Sequence, residues 1–134
     1  MKPGTFATAI NCMDGRVQDL VAAWIKKKVG VDYVDMITEP GADRVLTEEW
    51  PTVNDHIRRK ILVSVNSHGS RLIALVAHDD CAGNPVTKEV HVEQVLKGLE
   101  VLRGWNFGTR ILGLWVDHDG VIHVVGDLPA AKPV

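Results

Sequence analysis

The run Leu72-Ile73-Ala74-Leu75-Val76-Ala77 inside the segment Arg71–Ala77 constrains the fold of this chain more than any other stretch. A half-exposed strand alternates apolar and polar side chains. A strand apolar at every position has to be covered on both faces, as a central strand of a parallel sheet is. Parallel neighbours need long crossovers, so helices are expected between the strands, and the rest of the sequence supplies them. Thr5–Ile10 and Tyr33–Ile37 read as further buried strands. Val17–Val29, Val53–Asn66 and Val86–Leu102 carry apolar residues at helical spacing, with Gly30, Gly69 and Gly104 at their ends. Ile111–Val116 and Val121–Val125 flank Asp117-His118-Asp119-Gly120, an Asp-Gly hairpin signal. Glu39-Pro40-Gly41 and Asn84-Pro85 mark turns, and the stretch between the first of these and Trp50-Pro51 reads as a polar connection.

The resulting order, β-α-β-α-β-α-β-β, predicts an α/β fold. It is a single domain with a mostly parallel central sheet flanked by helices and an antiparallel strand at one edge. The length of 134 residues suits one domain, and a hydrophobic fraction of 46% can fill its core. Pro129–Val134 reads as a loose tail.

Composition also excludes partners. A net charge of -2 and a pI near 6.3 leave no basic footprint for nucleic acid. Lys26-Lys27-Lys28 reads as the solvated end of a helix, where cations are favourable. No apolar run approaches the ~18 residues a spanning helix needs, and the N-terminus has no signal-peptide layout. No membrane association and a cytoplasmic location are therefore expected. Two cysteines are too few for a disulfide framework.

In an open α/β sheet, ligands bind beyond the carboxyl ends of the strands, where strand order reverses. Both cysteines fall at that edge: Cys12 follows the first strand, and Cys81 follows the strongest one, with His78 three residues before it. Two thiolates and an imidazole would make a three-ligand zinc site with one open position, the pattern of a catalytic zinc. Small buried hydrophobes, or a redox pair Cys12–Cys81, are the alternatives. Asp14 and Arg16 follow Cys12 at the turn into the first helix. Asp14 could orient a metal-bound water while pairing with Arg16, or it could cap the helix; the two roles are compatible. His56, His68 and His91 lack partners at ligand spacing and read as surface or capping residues. Trp24 reads as core, and Trp50, Trp105 and Trp115 as candidates for a subunit interface.

Cys12-Met13-Asp14-Gly15-Arg16 followed by His78-Asp79-Asp80-Cys81 resembles the Cys-x-Asp-x-Arg and His-x-x-Cys motifs of the β-class carbonic anhydrases. The resemblance extends over most of the chain, through Gly41-Ala42 and the closing hairpin from Ile111 to Ile122. It implies a single β-carbonic anhydrase-like zinc domain over residues 1–134, with Zn2+ held by Cys12, His78 and Cys81. It also implies a catalytic dyad of Asp14 and Arg16, with Asp14 able to swing onto the zinc as a fourth ligand in a closed state. The implied reaction is the reversible hydration of carbon dioxide to bicarbonate, in a homodimer or higher homo-oligomer. Carbonyl sulfide or carbon disulfide hydrolysis, and a non-catalytic zinc-binding role, are the rival readings. His118, Asp79 and Asp80 are candidates for the proton exit by chain position. The chain departs from the family in opening close to its first strand, without the N-terminal helices of longer members. It also carries Thr38-Glu39-Pro40-Gly41 where many members have Arg-Asn-Ala-Gly, and Ala82-Gly83 where a glycine usually follows the cysteine directly.

Overall fold

The computed structural model describes residues 1–131. Five strands form one sheet: β1 (Phe6–Asn11), β2 (Tyr33–Thr38), β3 (Leu72–His78), β4 (Arg110–Val116) and β5 (Ile122–Leu128), in the spatial order β2-β1-β3-β4-β5. The first three pairings are parallel and β4–β5 is antiparallel. The chain therefore leaves β1 for one neighbour, β2, and returns on the other side as β3. Strand order reverses between β1 and β3, in register at Thr8↔Ile73 through Ile10↔Leu75.

Every residue of β3 is buried. Its odd-numbered apolar positions, Ile73, Leu75 and Ala77, join one core with Leu46, Ile57, Ile61 and Leu99, under the helices α2 (Ala42–Glu48), α3 (Pro51–His68) and α4 (Lys88–Gly104). Leu72, Ala74 and Val76 join a second core with Val17, Val21 and Ile25 of α1 (Gly15–Ile25). The period-two alternation of a strand splits one apolar run between two cores, which is why it contains no polar residue. Helix α1 finishes in a single π-helical turn, Lys26–Gly30, with its lysines exposed.

The chain departs from the sequence expectations in particular places. Residues 42–48, read as part of a polar connection, form α2. Ala42, Val45 and Leu46 do share a face, but about two turns with no side-chain cap is too short to register as a period. Strand β5 runs on to Leu128, pinned by the Arg110 guanidinium, which donates to both carboxylate oxygens of Asp127 at 2.9 Å. On α4 the buried stripe is His91, Val95, Gly98, Leu99 and Leu102, whereas Leu96 is exposed. His91 is thus a core residue, not a surface or capping one. Trp115 is core as well, and no interface tryptophan, because β4 turns it toward α4. Trp24 packs half-buried against the α1 core, as expected. Of the tail expected to be loose, residues 129–131 carry no regular structure, and 132–134 lie outside the described residues. Among the described residues no helix is long and apolar enough to cross a membrane.

Candidate metal centre

The switch between β1 and β3 brings three of the sequence candidates together. Cys12 leaves the end of β1, His78 closes β3, and Cys81 lies on the turn beyond it. One ligand atom from each lies within 4.8 Å of the others, and all three residues are buried. Both cysteines are free thiols, their Sγ atoms 3.9 Å apart. Two sulfurs bound at ~2.3 Å to one tetrahedral centre stand about 3.8 Å apart, so the pair already has the spacing of a zinc edge.

Local hydrogen bonds set this geometry. The Asn11 carboxamide accepts from the Cys12 N–H at 2.9 Å and donates to the Val17 carbonyl at 3.3 Å, folding the chain tightly into α1. The Gln18 amide donates to the Cys12 carbonyl. His78 Nδ1 donates to the carbonyl of Asp79 at 2.7 Å, which places the ring lone pair on Nε2. That Nε2 is buried and has no hydrogen-bond partner among the described residues. A buried polar atom left unpaired is costly, and a cation at this point would satisfy it. The thiols make the same case. Burial, then the neighbouring Cys12 thiol, pushes the Cys81 thiol up to about 11, so Cys81 is a poor place for thiolate charge unless a cation offsets it. Soft sulfur with imidazole in a four-position set suits zinc.

Asp14 is the N-cap of α1, and its Oδ1 accepts from the Arg16 N–H at 2.9 Å. The Arg16 guanidinium also grips it, from Nε at 3.0 Å and from a terminal nitrogen at 2.6 Å. The cap and the ion pair therefore coexist. Hydrogen bonding from the Arg16 side chain, then from its backbone N–H, holds the Asp14 carboxyl down at about 2, and the same pairing raises Arg16. Asp14 stays with Arg16 in this structure and is not one of the three clustered ligands. The other side of the guanidinium reaches the Asp80 carboxylate and carbonyl, each at 3.2 Å.

A cleft of about 170 Å3 opens beside the centre, lined by Arg16, Val17, Leu20, His78, Val116 and His118. His118 lies at its rim, 90% exposed, with Nδ1 3.3 Å from the Asp79 carboxylate. His56 joins none of these contacts, and His68 pairs with Asp35 at 2.7 Å, away from the site.

The sequence reading did not single out Asn11, Asp43, Asn84 or His91 as site residues. His91 did carry a signal, since it shares a helical stripe with Val95, Leu99 and Leu102. Asp43 and Asn84 carried none, because their burial depends on partners far away in the chain.

A family model described as "Putative carbonic anhydrase" matches residues 2–126. No curated protein matches the chain. Among solved structures, a carbonic anhydrase from Streptococcus mutans superposes with a TM-score of 0.63 at 21% identity, over 93% of this chain and 84% of that one. A tetrameric β-carbonic anhydrase from the ascomycete Sordaria macrospora gives 0.65 at 14% identity, over 95% and 84%. A carbon disulfide hydrolase gives 0.63 at 18% identity, over 90% and 79%. At these identities the neighbours show that the fold is that of the β-carbonic anhydrases, and the family model speaks for descent: this chain belongs to the putative carbonic anhydrase family.

Proposed function

We propose that residues 1–134 act as one zinc domain that hydrates carbon dioxide reversibly to bicarbonate. The observation that carries this reading is the cluster of Cys12, His78 and Cys81 at the strand switch, with the buried Nε2 of His78 lacking any partner among the described residues. When bound there, zinc would supply Lewis acidity, bringing the pKa of a coordinated water down toward roughly 7.

The chain's own residues do the rest. Asp14, ionised at any working pH, has only acceptor capacity. It takes a hydrogen bond from the reacting water and so fixes which lone pair faces the substrate. Arg16 keeps that carboxylate from turning away; without this grip Asp14 would be free to join Cys12, His78 and Cys81 in holding the zinc. Val17, Leu20 and Val116 form an apolar wall for a small linear substrate. The proton released with bicarbonate leaves past Asp79 and Asp80, and His118 at the rim is placed to hand it to solvent. A cytoplasmic homodimer or larger homo-oligomer is the working form; the tetrameric relative supports it. Carbonyl sulfide and carbon disulfide offer the same electrophilic carbon, and the likeness to a carbon disulfide hydrolase favours keeping them as the second reading.

Stopped-flow carbon dioxide hydration on protein of assayed zinc content tests the proposal. Turnover is expected in the natural chain, none in Cys81→Ala, and about 10–100-fold less in Arg16→Leu. Zinc-loaded protein inert toward carbon dioxide refutes the reading. Turnover of carbon disulfide or carbonyl sulfide would then establish the second one, and inertness toward all three a zinc-binding protein without catalysis.

A further inference from the structure

A buried polar chain that the proposed reaction does not use connects the metal loop to α2 and α4. Asp43 and His91 are each 1% exposed, and Asn84, three residues beyond Cys81, is 2% exposed. His91 Nδ1 donates to Asp43 Oδ2 at 2.6 Å. Asn84 donates one amide hydrogen to the same oxygen at 3.1 Å and the other to Gln94 Oε1 at 2.6 Å. The Asn84 N–H closes a turn onto the Cys81 carbonyl at 3.2 Å. Such groups are costly to bury, and their return is a fixed geometry where they are bonded; of their side-chain nitrogens and oxygens only His91 Nε2 is buried without a partner among the described residues. None of them lines the cleft beside the metal centre. One carboxylate oxygen therefore ties three segments together: α2, α4 and the loop that presents Cys81. Van der Waals contact reinforces the tie, for Gly83 lies so close to Pro40 and Gly41 that a Cβ would not fit.

We infer that Asp43 and His91 are positioning residues for the metal centre. They hold Asn84, and through it the Cys81–Asn84 turn, where the Cys81 thiol meets Cys12 and His78. The inference rests on the metal-centre part of the proposed function and not on the substrate.

The test is the zinc dissociation constant, measured by competition with a chromophoric chelator at a temperature where circular dichroism shows each protein folded. His91→Phe, which keeps a ring but removes the donor, and Asn84→Ala are expected to weaken zinc by about 10–100-fold. His91→Asn, which returns an amide N–H near the place of Nδ1, is expected to recover most of that loss. The double variant His91→Phe/Asn84→Ala is expected to be no weaker than the worse single one, because both break the same chain. A merely structural role would lower melting temperatures and leave the zinc constant of the folded protein unchanged. Folded Asn84→Ala or His91→Phe with the natural constant overturns the inference, as does His91→Asn binding as weakly as His91→Phe. Should His91→Phe not fold, Asn84→Ala decides. If the natural chain takes up no zinc, the metal-centre reading falls and this inference with it; if the natural chain and the variants hold zinc equally, only the inference falls.

Discussion

Alanine at Gly83 measures how firmly the loop carrying Cys81 is seated. The added Cβ would stand 2.7 Å from the Pro40 carbonyl carbon, 2.8 Å from Pro40 Cβ and 2.9 Å from the Gly41 nitrogen. These atoms belong to backbone and to a proline ring, so none can rotate aside and one segment has to shift. Overpacking of this kind costs about 1–3 kcal/mol, and three contacts inside 3 Å put Gly83 near the upper end. The backbone there is not left-handed, so alanine recovers about 0.4–1 kcal/mol of unfolded-chain entropy. The net loss is about 2 kcal/mol. For 134 residues the entropy of unfolding is about 0.28 kcal/mol/K, at roughly 2.1 cal/mol/K per residue, so the melting temperature should fall by about 7 °C. Gly104→Ala is the internal control. Among the described residues nothing lies within 4 Å of its Cβ position, at the last residue of α4, so that variant should melt about 2 °C higher. Thermal denaturation followed by circular dichroism, in chelator, gives both numbers. A Gly83→Ala protein melting at or above the natural temperature would show that the loop is free to move and that the contact with Pro40 constrains nothing.

Two further outcomes are expected. Zinc at 100 times its dissociation constant should add about 2.7 kcal/mol, or about 10 °C, to the natural chain, and chelator should remove it. Cys81→Ala should be indifferent to both, and an equal shift in the two proteins would place the binding elsewhere. The Arg110 guanidinium beside Asp127 holds its carboxyl below the usual carboxylate range. A lowered folded-state value means stabilisation that is present above the unfolded value of about 4 and is lost as pH falls through the folded value. Asp127→Asn should therefore melt below the natural protein at about pH 6, with the gap closing as pH falls below the unfolded value of about 4. A gap independent of pH would mean that charge contributes nothing to the pair.

Much of this fold is legible in the sequence because its strongest signals are local. A seven-residue buried strand and an Asp-Gly hairpin each announce themselves within their own segment. The meeting of Cys12 with His78 and Cys81 is legible one step further on, through the rule that ligands gather where strand order reverses. What stays hidden is pairwise. His91 reads as a surface histidine until Asp43, 48 positions earlier, is known to be buried against it. Trp115 reads as an interface residue until α4 is known to cover that face of β4. Helix α2 is invisible because its seven residues are held by the core they meet, not by caps or propensity.

The register between β1 and β3 also sets a clock. Cys12 and Cys81 are 69 positions apart in the chain, yet each leaves a strand hydrogen-bonded to the other's. Fraying at a terminus cannot separate them; the loop that presents Cys81 has to lift off Pro40 and Gly41, or the middle of the sheet has to part. Strands buried at the centre of a sheet open with free energies close to that of global unfolding. Where zinc leaves by that route, its residence time reads out the rate at which the whole sheet comes apart. Metal release into an excess of chelator then becomes a measurement of unfolding in water, made at ambient temperature and without denaturant.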